Sequence, residues 1–212
     1  MNTNKLAYIF DMDGVLIDSV YSLDRSVRGF LDPTGIDYPE NIMEIITPLG
    51  YEGAAKYIQS LGVDKTVDEL TAIMTEGMEK EYVQSIPTKA HVVEVLEKLH
   101  ANGYKLCILS ASPHFLIDPC IKRLDIERYF DFVWSTDDFA LIKSNPQIYS
   151  EAAKLLGLDE RECAFADDNL TNIKAAKAAG MYTIAVYDLV NAVHTDEMKK
   201  EADKYIHSFE EL

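Results

Sequence analysis

Short apolar runs punctuate the chain at Leu6–Phe10 (LAYIF), Lys105–Leu109 (KLCIL), Asp131–Ser135 (DFVWS), Cys163–Ala166 (CAFA), Tyr182–Val186 (YTIAV) and, more weakly, Lys204–Ser208 (KYIHS). Helical patterns fill most of the intervals. Val92, Val95, Leu96 and Leu99 recur at helical spacing and stop at Gly103. Asn145 is placed to cap a helix that takes Pro146 into its first turn and ends before Gly157, and the Ala-rich stretch NLTNIKAAKAAG stops in the same way at Gly180. Continuous apolar strands separated by helices predict an α/β fold, a doubly wound parallel sheet covered on both faces.

One interval breaks the alternation. Between the first run and the helix that starts near Thr88 lie about 70 residues without a strand pattern, far more than a crossover of roughly a dozen residues requires. Helices are predicted there at Asp18–Phe30, Glu40–Ile46 and Tyr51–Leu61. A fourth opens on a Thr66/Glu69 capping box and carries Leu70, Ile73, Met74, Met78 and Tyr82 on one face. The expectation is an all-helical domain over residues 17–87, inserted after the first strand and leaving 1–16 and 88–212 as the sheet-bearing core. Its two connections fall near Val15–Asp18 and Ser85–Lys89, where Pro87 stiffens the return.

Composition narrows the partners. Twenty Lys and Arg against 36 Asp and Glu leave a formal charge of −16 over 212 residues, which argues against nucleic acid because phosphate backbones are gripped by clustered cations. Cys107, Cys120 and Cys163 sit among apolar neighbours as free thiols, and the histidines show no metal-ligand spacing. Met1–Leu6 has no leader character and no apolar run approaches about 18 residues, so the expectation is a cytoplasmic protein without a membrane segment. Oligomeric state is left open.

The chemistry lies in the polar exceptions at the ends of the apolar runs. Asp11, Asp13 and Gly14 follow AYIF, Ser110 follows CIL, and Asp167 and Asp168 follow AFA, while Lys143 stands in the loop LIKSNP ahead of a helix. Doubly wound sheets bind ligands at the carboxyl ends of their strands, so four separate segments deliver carboxylates, a hydroxyl and an ammonium to one rim. A D-x-D continuing the strand would crowd two like charges on one face, a conflict that a cation resolves. Gly14 would let a phosphate approach the backbone closely.

These residue types suit phosphoryl transfer to a carboxylate. Asp11 is the candidate nucleophile, able to attack a phosphate dianion only if Mg²⁺ and Lys143 offset the negative charge of the site. The Asp11 carboxylate, the Asp13 backbone carbonyl and Asp168 are the candidate Mg²⁺ ligands, with Asp167 in support. Ser110 and Lys143 would bind the transferring oxygens, and Asp13 would act as general acid and then general base.

DMDG at Asp11–Gly14, Ser110, Lys143 and ADDN at Ala166–Asn169 resemble, in order, the four motifs of the haloacid dehalogenase superfamily. The resemblance spans the chain, and the helical insertion is similar to the small cap of the branch that holds phosphoglycolate phosphatases and beta-phosphoglucomutases. It implies a Rossmann-like core, Mg²⁺-dependent transfer through an aspartyl phosphate, a cap that selects substrate, and a small phosphorylated metabolite as partner. Ser144 and Asn172 depart from the family's usual residues without removing a catalytic group. Dehalogenases of the superfamily lack the second acid of the first motif, so Asp13 favours phosphate chemistry. Mutases of the branch carry a cap histidine where this chain has Leu23, which favours a hydrolase over a sugar phosphomutase. A binding module without turnover is the third alternative. His114 and the insertion's Tyr21, Tyr51, Tyr57 and Tyr82 are weighed as substrate contacts, with a surface histidine and core tyrosines as the simpler accounts.

Overall fold

The apolar runs pair side by side in one six-stranded parallel sheet of order β3-β2-β1-β4-β5-β6, seen in a computed structural model that describes residues 5–46 and 49–212. The side chains of Val20, Tyr21 and Glu44 also lie outside the described residues, as do Met1–Asn4 of the leader reading. The strands are β1 (Ala7–Phe10), β2 (Lys105–Ser110), β3 (Phe132–Ser135), β4 (Cys163–Asp167), β5 (Tyr182–Val186) and β6 (Lys204–Ile206). β1 lies in the middle, with Ala7 opposite both Lys105 and Cys163. The chain winds from β1 outward through β2 and β3, then returns to the far side of β1 for β4, β5 and β6. The crevice at the carboxyl ends of β1 and β4 is therefore the topological switch point of the sheet.

Alternation along these strands fills both faces. Ala7, Ile9, Cys107, Leu109, Trp134, Cys163 and Phe165 pack against α7 (Gln147–Leu156) and α8 (Leu170–Ala179) through Ile148, Tyr149, Ala152, Ala175 and Ala176. Phe10 points to the opposite face, where its ring lies 6.0 Å from that of Phe209. Asn145 takes the Gln147 N–H at 3.0 Å, and Asn169 caps α8 by accepting from Thr171 and Asn172. All three cysteines are buried free thiols, and burial pushes Cys120 and Cys163 up to about 11.

The chain divides into two compact units, Met1–Asp18 with Pro87–Leu212, and Ser19–Ile86. The second unit is built from α1 (Ser19–Leu31), α2 (Ile42–Ile46), α3 (Gly50–Ser60) and α4 (Val67–Gln84). Val27, Leu31, Ile42, Ile46, Ala55, Ile58, Leu70 and Met74 form its core. Thr66 and Glu69 make the reciprocal capping box, with Thr66 N to Glu69 Oε2 at 2.7 Å and Glu69 N to Thr66 Oγ1 at 3.2 Å. In the first unit the two connections meet: Ile17 bridges Thr88, and Asp18 N donates to the Pro87 carbonyl at 3.0 Å. The remaining helices of this unit are α5 (Val92–Ala101), α6 (His114–Arg123) and α9 (Thr195–Glu201). No helix among the described residues is long and apolar enough to cross a membrane.

Candidate active site

The strand register brings the first acid to the late pair. Phe10 faces Ala166, and the next residue continues the ladder: Asp11 N donates to the Ala166 carbonyl at 2.9 Å, so Asp11 leaves β1 beside Asp167 at the end of β4. The chain then turns sharply, with Leu16 and Ile17 N–H groups both reaching the Met12 carbonyl, at 2.9 and 3.0 Å. Gly14 takes φ +72° in this turn, and a methyl group on it would lie 2.6 Å from Asp168 Oδ2. The close approach that requires glycine is thus made by a carboxylate of the protein itself. Gly14→Ala is expected to displace Asp168 and to cut both divalent-cation affinity and phosphomonoester turnover by roughly tenfold or more, measured by Mn²⁺ titration and phosphate release.

Asp11, Asp167 and Asp168 each offer an oxygen within 4.8 Å of the others, and all three side chains are buried. The Lys143 ammonium lies 2.6 Å from Asp11 Oδ1 and 2.9 Å from Asp167 Oδ2. Backbone N–H groups hold the acids in place: Met12 N donates to Asp11 Oδ1 and Asn169 N to Asp167 Oδ1, each at 2.7 Å. Asn172 Nδ2 adds a contact to Asp167 at 3.2 Å, and Asn191 Nδ2 donates to Asp168 Oδ2 at 2.8 Å. Tyr149 OH donates to the Lys143 carbonyl at 2.7 Å, which fixes the Lys143 backbone.

Burial is the main force on the charges here. It raises Asp11 to about 7, with Asp167 and Asp13 adding to it and Lys143 opposing it. Asp168 is raised well above the ordinary carboxylate range by burial first, then by Asp167, Asp11 and Asp188. Burial acts to lower the Lys143 ammonium, but the charges and hydrogen bonds of Asp11 and Asp167 outweigh it and leave it raised. One ammonium against three buried carboxylates leaves an excess of negative charge among all-oxygen donors, a set suited to a hard divalent cation.

That excess has a measurable sign. Asp11 and Asp168 bind protons more tightly folded than unfolded, so without cation their contribution to stability falls as pH rises from the unfolded carboxylate value of about 4 through the folded value of Asp11 at about 7. Cation-free protein is expected to melt several degrees lower at pH 8 than at pH 6, and saturating Mg²⁺ should remove most of that slope. Asp168→Asn should flatten it without cation, as read by scanning calorimetry.

One expectation from sequence is corrected. Asp13 does not continue the strand, because β1 ends at Phe10 and Asp13 lies in the turn, bridged to Ile17. Its half-buried carboxylate accepts from Ser112 Oγ at 3.0 Å and is not one of the clustered three, so the crowding predicted between Asp11 and Asp13 falls mainly on Asp11 and Asp167. Ser110 is fully buried at the end of β2, where its hydroxyl accepts from Ser112 N at 3.0 Å and shapes the following turn. His114 opens α6 and is held between Asp138 at 2.9 Å and Asp118 at 3.1 Å, which raise it above its ordinary value. In the helical unit Tyr82 is buried, Tyr57 half-buried against the core and Tyr51 exposed.

Ser112, Tyr149, Asn191, Lys89 and Asp188 were not singled out from the sequence. Asp188 carried a weaker signal, since it stands one residue past the apolar run YTIAV, after Tyr187. Lys89 carried none, because it stands in the return connection with no periodic context.

The profile of the family described as haloacid dehalogenase-like hydrolase matches residues 6–180. A phosphorylated carbohydrates phosphatase of Thermotoga maritima is 25% identical over 197 residues, covering 92% of this chain and 90% of its own. Hexitol phosphatase B of Escherichia coli is 27% identical over 85% of this chain and 83% of its own, and phosphoglycolate phosphatase of Salmonella typhi is 28% identical over 86% and 83%. A crystal structure from Thermotoga maritima, provisionally named beta-phosphoglucomutase, superposes with a TM-score of 0.83 at 23% identity over 97% of this chain and 95% of that one. The motif order, the acids gathered at the switch point of a parallel sheet and the span of the profile agree, and the chain belongs to the haloacid dehalogenase-like hydrolase family.

Proposed function

We propose that this protein is a Mg²⁺-dependent phosphatase that hydrolyses a small phosphorylated metabolite through an aspartyl phosphate on Asp11. The observation that carries the reading is the buried trio Asp11, Asp167 and Asp168 with the Lys143 ammonium in contact with Asp11 and Asp167. Asp11, Asp167 and Asp168, with the Asp13 backbone carbonyl, would hold Mg²⁺, which when bound supplies charge neutralisation that lets a phosphate dianion approach a carboxylate. Lys143 and the Ser110 hydroxyl bind oxygens of the transferring group. Asp11 attacks phosphorus as the bond to the leaving oxygen breaks, and Asp13 gives that oxygen its proton. Water then attacks the phosphorus of the aspartyl phosphate, Asp13 takes its proton, and inorganic phosphate leaves with Asp11 restored.

The names of the relatives support a phosphorylated sugar, sugar alcohol or glycolate as substrate class. The alternative is a phosphomutase, favoured by the fold-level likeness to the Thermotoga maritima structure. Against it stands Leu23, half-buried against the core of the helical unit where the mutases carry a histidine. Three buried free thiols support a reducing, cytoplasmic location.

A panel of phosphomonoesters assayed for inorganic phosphate with and without Mg²⁺ tests the reading. Release that requires Mg²⁺ is the expected result, and no release from any member would sink it. With beta-glucose 1-phosphate, isomerised hexose phosphate in place of free phosphate would assign the mutase reaction.

A further inference from the structure

Lys89 and Asp188 have no part in the reaction above, yet both border the carboxylate trio. The Lys89 ammonium donates to the Gly14 carbonyl at 2.7 Å and to the Tyr187 carbonyl and Asp188 Oδ2, each at 2.9 Å. Asp188 is buried, and its Oδ1 accepts from Val190 N at 3.1 Å. A methyl group on Gly14 would touch both Asp168 Oδ2 and Asp188 Cγ, so the two carboxyl groups flank a single point. Asn191, on the same short segment as Tyr187 and Asp188, donates to Asp168 Oδ2. One stretch after β5 therefore grips Lys89 with one hand and Asp168 with the other.

Four buried carboxyl groups, Asp11, Asp167, Asp168 and Asp188, with the half-buried Asp13 beside them, outnumber the two ammoniums of this patch, Lys143 and Lys89. Asp188 lies close enough to act on Asp168, and its Oδ2 is 2.9 Å from the Lys89 ammonium.

We propose that Lys89 and Asp188 are a charge-setting pair of positioning residues, which orient the Gly14 turn and the Asp168 carboxylate and fix how tightly the trio holds a divalent cation. The inference rests on the reading of the trio as a cation site. Intact, the pair carries no net charge; halved, it leaves one full charge beside the cation, of opposite sign for the two halves.

Calorimetric titration of Mn²⁺ into the whole protein, without substrate, provides the test. Asp188→Asn is expected to weaken Mn²⁺ binding about tenfold and Lys89→Met to tighten it by a similar factor. The double variant should bind within about twofold of the parent, because both charges leave together. A packing role would weaken binding in both single variants, and that same-sign outcome overturns the proposal. If Lys89→Met does not fold, Lys89→Gln replaces it, since an amide can still donate to the Gly14 and Tyr187 carbonyls. The double variant leaves no buried charge unpaired, and a tenfold loss there would also overturn the pair. Parent protein that binds no Mn²⁺ overturns the cation site and the pair with it, whereas parent binding with same-sign shifts removes the pair alone.

Discussion

Asp11→Asn abolishes turnover, by roughly a thousandfold or more, while the protein stays folded. The amide matches the carboxylate in shape and can still accept the Met12 N–H, but it cannot attack phosphorus as an anion. Lys143 keeps Asp167 as its partner at 2.9 Å, so no buried ammonium is stranded. Removing a carboxylate that burial has raised to about 7 relieves repulsion in the cation-free site, so the cation-free melting temperature should hold or rise. Phosphate release and a thermal melt on the same preparation check both halves. Activity close to that of the parent would place the nucleophile elsewhere, and a collapsed melt would make Asp11 a structural acid.

Lys143→Met has its largest effect on stability. Both carboxylates that the ammonium contacts are buried, and Lys143 itself is 6% exposed, so its loss leaves uncompensated charge with no solvent to screen it. Breaking a buried pair from one side costs on the order of 3–5 kcal/mol, and urea unfolding without cation should show a loss of that size. Saturating Mg²⁺ should return much of it. The double variant Asp11→Asn, Lys143→Met should lose less than the sum of the two singles, because each change removes part of what the other leaves unbalanced. A loss below about 1 kcal/mol in Lys143→Met would mean that water reaches the pair and that the site is wetter than its burial implies.

The apolar runs and helix stops made the sheet legible, because continuous burial on both faces leaves strands without alternation and the caps mark where helices begin and end. Asn169 illustrates the gain: it caps α8 by accepting from Thr171 and Asn172, which leaves Asp167 and Asp168 for the site. The acids at strand ends were legible for the same reason, since a charge directly after a buried strand must have a partner. Two things were hidden. The turn that swings Asp13 away from Asp11 depends on hydrogen bonds to Met12 that no local pattern announces. Lys89 reaches Tyr187 and Asp188 across nearly half the chain, a pairing decided by which loops the sheet order brings together. Gly14 reads from the sequence as a glycine that admits a phosphate, but the group that occupies the space beside it is the Asp168 carboxylate.

The central place of β1 also sets a schedule for folding. Its neighbours are β2, aligned through Ala7 and Lys105, and β4, aligned through Ala7 and Cys163, so the strand waits through most of the chain's synthesis before both of its edges are covered. Contacts so distant in sequence are slow to close. Ser19–Ile86, with its own core and local helix contacts, is complete long before that and can order first. The nascent chain can thus hold an ordered helical module while its earliest strand still lacks a neighbour. The acid that ends that strand meets Asp167 only when the last of the three innermost strands is in place.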